Sequence, residues 1–196
     1  MVQVVSDGVK EAMASANLTT QDVHFVQIKC PLITAAARSL DKASSSAITQ
    51  DSYKSMAYSR AASALGVAVA LGEIVDETQL TDADICSNHA LYSSVASTSA
   101  GVELKNCEIL VLGNSNQSES DCIIGHSVME HALDTAAVER AMSSLPSLVA
   151  AGAGEDDASY CYKIVNVFCK AEADPSGQIL GCRHTMMDDS DINHTR

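Results

Sequence analysis

His24-Phe25-Val26-Gln27-Ile28-Lys29-Cys30-Pro31-Leu32 reads as a strand carrying a single charge. Side chains alternate across a strand, so Val26, Ile28 and Cys30 share one face while Phe25, Gln27 and Lys29 share the other. The first set belongs to a core. The second aims a lysine toward another surface, and an ammonium in apolar surroundings loses hydration, which disfavours its charged form. A lysine so placed is a candidate general base for a nearby hydroxyl. Ser97-Thr98-Ser99-Ala100-Gly101-Val102-Glu103 offers that hydroxyl, in a small-residue run read as a loop. Together the two segments read as a serine–lysine pair. The plainer alternatives are a lysine that discourages edge pairing and a serine-rich turn.

Upstream of the strand, Val5, Val9, Met13 and Ala16 recur at helical spacing and predict a helix ending near Asn17. Downstream, Asp51 or Ser52 can cap a long helix through Met56, Leu65, Val69 and Leu71, whose alanines, with Gly66 and Gly72, suit close packing on a sheet. A strand is predicted near Cys107–Leu112. A second long helix is predicted from about His126 to Leu145, ended by Pro146, with His126 and His131 at its surface. Cys161–Lys170 reads as a strand. Asp174-Pro175-Ser176-Gly177 reads as a turn into a last strand at Ile179–His184. Strand pairs interleaved with two long helices imply an α+β domain with the helices on one face of the sheet.

The chain has 196 residues, 46% of them hydrophobic and only 4% aromatic, so one core built from small aliphatic side chains is expected. A formal net charge of −13 repels phosphate backbones and anionic lipid, which argues against nucleic acid and membrane surfaces as partners. Seven cysteines without a CxxC pair suit a reducing compartment. No basic leader and no long apolar run is visible, so a cytoplasmic protein is expected. Asp188, Asp189 and Asp191 lack the spacing of a calcium loop, and neither a metal nor a cofactor is expected.

Four phrases carry a resemblance: Val23–Leu32, Ser55-Met56-Ala57-Tyr58-Ser59-Arg60, Ala96–Leu104, and Arg183-His184-Thr185-Met186 with Asp189-Ser190-Asp191-Ile192-Asn193. Together they resemble the cyanuric acid amidohydrolase and barbiturase family of ring-opening cyclic amidases. Members of that family have three related repeats around a pseudo-threefold axis, each giving a lysine, a serine and often an arginine to one central pocket. This chain resembles the middle repeat, with residues 1–184 as the repeat unit and 185–196 as a polar tail toward a following one. The resemblance implies a four-stranded sheet with two long helices on one face, as in YjgF-type proteins.

It also implies a small cyclic imide as substrate, such as cyanuric or barbituric acid. Lys29 would be the base, Ser99 the nucleophile, and Arg60 a ligand of a substrate carbonyl. The Ser99-Ala100-Gly101 turn would hold the substrate oxygen on the N–H groups of Ser99 and Ala100. Ser97 stands next in line as nucleophile, with Ser93 nearby. A pocket shared among repeats further implies association with the other repeats or a threefold homo-oligomer. A non-catalytic assembly module, or a YjgF-like small-molecule binder, is the alternative reading.

Overall fold

The computed structural model describes residues 1–35, 47–75, 80–145, 164–171, 174 and 176–184. Helix α1 spans Val2–Ser15 and buries Val5, Val9 and Met13 along one stripe. It stops because Asn17 takes a left-handed conformation (φ 52°), and the Leu18 N–H then returns to the Met13 carbonyl at 2.9 Å. That six-residue closure satisfies a helix-end carbonyl and turns the chain toward the sheet. Asp22 accepts from both the backbone N–H and the hydroxyl of Thr19, each at 2.7 Å, closing one 3₁₀ turn at Thr20–Asp22.

Strand β1 spans Val23–Pro31, and its alternation is as the sequence predicts. Val26, Ile28 and Cys30 are fully buried, Phe25 and Gln27 are half-buried and Lys29 is exposed. Helix α2 spans Ser52–Leu71, with the Asp51 carboxylate accepting from the Lys54 N–H at 2.9 Å. Gly72, at φ 75°, ends it in the left-handed conformation that glycine adopts without a Cβ penalty. Gly66 lets α2 touch α1. A Cβ there would lie 2.7 Å from the Val2 carbonyl and 2.8 Å from Val5 Cβ.

Strands β2 (Ala96–Gly101) and β3 (Glu108–Gly113) flank β1 in the order β2-β1-β3, β2 parallel and β3 antiparallel to it. Helices α1 and α2 both cover the face lined by Val26, Ile28 and Cys30. Val5, Val9, Met13, Ala64, Val67 and Ala70 complete that core.

Four expectations need correction. The serine run is a strand and not a loop, because pairing with β1 satisfies its backbone and Thr98 turns inward, 1% exposed. The second long helix is only α3, Thr135–Ser143, because the Asp134 carboxylate caps a late start by accepting from the Ala137 N–H at 3.1 Å. The second covering helix is instead α1. The sheet has three strands among the described residues, and 164–170 forms no ladder. Finally, Ile179–His184 is not one strand. Gln178–Ile179 (β4) and Cys182–Arg183 (β5) pair as a short hairpin across Leu180 and Gly181, both at positive φ. Residues 161–163 and the tail 185–196 lie outside the described residues.

His126 departs from expectation too. It lies on no helix, is half-buried, and meets His24 with Nδ1 to Nδ1 at 2.8 Å. No helix among the described residues is long and apolar enough to cross a membrane.

Candidate functional site

The parallel ladder sets Gln27 opposite Ser97, Lys29 opposite Ser99, and Cys30 opposite Ala100. Neighbouring strands lie about 4.8 Å apart, and residues in register present their side chains to the same face. Lys29 and Ser99 therefore share the face that α1 and α2 leave uncovered. On the other side of β1, Lys29 stands opposite Glu108. The result is a row, Ser99, Lys29, Glu108, running across three strands.

The same register separates the candidate serines. Ser97 sits beside Gln27, two residues or roughly 6.6 Å along the strand from the lysine's step. Ser93 is fully buried. Ser94 gives both its N–H and its hydroxyl to the Glu73 carboxylate. Ser99 alone is half-buried and level with Lys29. Its carbonyl accepts from the Cys30 thiol at 3.3 Å.

Three sequence expectations meet a different geometry. Lys29 is exposed within this chain, so the desolvation expected of it is not supplied by these residues. Ala100 packs its side chain against the core, and consecutive N–H groups of a strand point to opposite edges. Only one of the Ser99 and Ala100 N–H groups can therefore face away from β1. Arg60 lies on α2, in the layer behind the sheet, and does not join the row. Its Nε and Nη2 are buried without a hydrogen-bond partner among the described residues. Beside it, burial pushes the Cys86 thiol up to about 11, against the opposing pull of the Arg60 charge.

A cavity lies elsewhere. It measures about 740 Å³ beyond the end of β1, between Pro31, Leu32, Ser55, Tyr58, Leu80 and Ile85. Neither Lys29, Ser99 nor Arg60 lines it. The row on the open face carries an amine, a hydroxyl and a carboxylate, whereas two serine hydroxyls at the cavity are engaged with backbone groups. Ser59 donates to the Pro31 carbonyl at 2.5 Å, and Ser55 accepts from the Ile33 N–H at 3.0 Å.

Sequence reasoning missed Phe168 and Lys170. The Phe168 ring stacks on Phe25, centroids 4.9 Å apart and planes at 20°, so 164–171 lies against the open face. Lys170 Nζ reaches the Thr98 carbonyl at 3.4 Å, bringing a second amine next to Ser99. A signal was present. Val165-Asn166-Val167-Phe168-Cys169-Lys170 is, like Phe25–Lys29, an apolar run closed by a lysine. Among the described residues, no three His, Cys, Asp or Glu side chains gather where they could hold a metal ion.

The described geometry is thus an amine level with a hydroxyl on the face of a sheet that two backing helices leave uncovered. The chain belongs to the ring-opening amidohydrolases: the family model described as "Amidohydrolase ring-opening protein (Amido_AtzD_TrzD)" matches residues 1–196. It is 48% identical over 200 residues to the cyanuric acid amidohydrolase of Enterobacter cloacae, covering 100% of this chain and 52% of that protein. The crystal structure of a cyanuric acid hydrolase from A. caulinodans superposes with a TM-score of 0.77 at 43% identity, covering 98% of this chain and 52% of that one. A second solved cyanuric acid hydrolase, described as "evolutionary innovation by structural concatenation", gives a TM-score of 0.82 at 42% identity, covering 98% and 51%. The chain thus spans about half the length of the relatives it matches.

Proposed function

We propose that this chain supplies the Lys29–Ser99 pair of a hydrolase that opens a small cyclic imide, with cyanuric acid as the first substrate to test and barbituric acid the second. The observation that carries the reading is the register of Lys29 with Ser99. In the reaction, the neutral amine of Lys29 takes the Ser99 hydroxyl proton as Oγ attacks a ring carbonyl. A backbone N–H at the free edge of β2 steadies the oxyanion. Collapse breaks the ring C–N bond, and the Lys29 ammonium returns the proton to the departing nitrogen. Water, deprotonated by the same amine, then releases the ring-opened product from Ser99.

An exposed Lys29 argues that the site is completed by protein laid over the open face. Phe168 and Lys170 begin that cover. The remainder comes from the other half of a full-length enzyme or from further copies of this chain in a threefold assembly. We further propose that residues 1–113, which hold both covering helices and the three-stranded sheet, are one repeat. The segment around Lys170 then opens the next. Arg60 stays out of the reaction in this reading, which also places the enzyme in the cytoplasm. Grafting this chain in place of the matching half of the Enterobacter cloacae relative tests the proposal. Ring opening, followed as loss of ultraviolet absorbance of cyanuric acid, should survive the graft and vanish with Lys29→Ala. Full activity of Lys29→Ala in an active graft would sink it.

A further inference from the structure

His24 occupies the step at which the β1–β3 register slips, between Val23 opposite Gly113 and Phe25 opposite Leu112. A residue at such an irregularity leaves the ladder and its side chain is re-aimed. Here the imidazole meets His126, Nδ1 to Nδ1 at 2.8 Å, with ring centroids 5.0 Å apart and planes at 59°. That separation is a hydrogen bond, so one Nδ1 carries the proton and the other presents a lone pair. Two imidazolium rings would instead aim N–H groups at each other.

The two histidines belong to different parts of the chain. His24 starts the central strand, and His126 sits in the irregular stretch between β3 and α3. That stretch is braced internally by Asn114, whose side chain donates to the Ile124 carbonyl at 2.9 Å and accepts from its N–H at 3.0 Å. Gly125 lies against the last turn of α3, where a Cβ would meet Ser144 Oγ at 2.5 Å. The stretch touches the start of β1 through the histidine pair and through the Asn114 N–H, which donates to the Asp22 carbonyl at 2.9 Å. Two charged groups face the pair, Asp22 on the His24 side and Glu73 on the His126 side.

We propose that His24 and His126 form a proton-operated clasp, closed while the pair is neutral and opened when both rings are protonated, which frees residues 114–134 from the start of β1. Burial supports the closed form: desolvation lowers both imidazole pKa values. For His24 the neighbouring His126 lowers it further while Asp22 opposes. For His126, Glu73 opposes. The clasp stands on the ring geometry and does not depend on the ring-opening reading.

Hydrogen exchange of the full 196-residue chain, corrected for intrinsic pH dependence, tests it at pH 7.5 and 5.5. Opening of the clasp should make the amides of 114–134 exchange faster at pH 5.5 than at pH 7.5 while those of α2 stay level. His24→Gln and His126→Gln keep a donor and an acceptor but cannot take up a second proton, and each should flatten that response. Nitrogen NMR of the wild-type rings gives an independent reading: both should titrate below free histidine. Rings titrating at or above the free value overturn the clasp whether or not the variants fold. So does an unchanged pH response in both folded variants.

Discussion

Lys29 and Ser99 are cross-strand neighbours in a parallel ladder, and that single register brings an amine and a hydroxyl to the same face of the sheet. The pairing is set by backbone hydrogen bonds along six matched positions, Val26 with Ala96 through Pro31 with Gly101. A slip of one residue would turn Ser99 into the core and Thr98 outward. The proposed chemistry therefore depends on the ladder as much as on the two side chains.

The serine assignment is open to direct measurement in an active graft. Ser99→Ala should lower kcat by roughly 10²–10⁴-fold, the range for losing a positioned proton-transfer or nucleophilic partner. Ser97→Ala, one step along beside Gln27, should cost less than about tenfold. Steady-state kinetics on cyanuric acid distinguishes the two, and the reverse ranking would move the nucleophile.

Gly66 is the point of contact between the two covering helices. Gly66→Ala places a methyl against the Val2 carbonyl, which is backbone and cannot swing away. Overpacking of this kind costs about 1–3 kcal/mol. Urea unfolding followed by far-ultraviolet circular dichroism should show the loss, and an unchanged midpoint would mean that α1 shifts without penalty.

Thr98 carries a buried hydroxyl with no hydrogen-bond partner among the described residues. Replacing it by valine keeps the shape and removes an unsatisfied polar group, so Thr98→Val should gain about 1 kcal/mol. For a chain of this size the thermal midpoint would rise by roughly 2–4 °C. A lower midpoint would mean that the hydroxyl does find a partner in solution.

The stack of Phe168 on Phe25 holds 164–171 against the open face. Aromatic pairs contribute about 0.5–1.5 kcal/mol beyond their burial, so Phe168→Ala should speed proteolytic cleavage in this segment by about fivefold. Global stability should change little, because the segment lies outside the main core. Equal cleavage rates in wild type and variant would show the stack to be unimportant.

Acid should destabilise the chain in two stages. His24 and His126 have folded-state pKa values below the ordinary 6.5. The unfolded chain therefore binds more protons, and their contribution is present above pH 6.5 and lost as pH falls through the lowered values. Hydrogen bonds from Thr19 to Asp22, and from Glu130 and Ala137 to Asp134, hold those carboxyls below the ordinary 3.8. Their contribution persists until pH drops below that value. Urea midpoints measured from pH 8 to 3 should decline first below 6.5 and again below 3.8. A flat profile from pH 7 to 5 would contradict the histidine part.

Much of the layout was legible because it rests on local patterns. The stripe Val5, Val9, Met13 predicted α1, Asp51 capped α2, and the alternation through Val26, Ile28 and Cys30 set the two faces of β1, whereas Gly72, read as a packing glycine, ends α2 in a left-handed turn. The serine run was misread because small polar residues have turn chemistry of their own, and only a neighbouring strand makes them a ladder. The predicted helix at 126–145 failed similarly. Its apolar spacing was helical, but Asp134 starts the helix late and His126 is taken up by His24.

From its residues alone, the chain determined its helix stripe, its caps, the inner and outer faces of its first strand, and the reactive side chains it has to offer. Tertiary structure alone decided which serine stands level with Lys29, that Arg60 lies behind the sheet, that Lys170 reaches the Thr98 carbonyl, and that two distant histidines share a proton. The physical reason is range. Periodicity and capping act over a few residues, whereas register, layer and contact between remote segments are settled by pairing and burial across the whole fold.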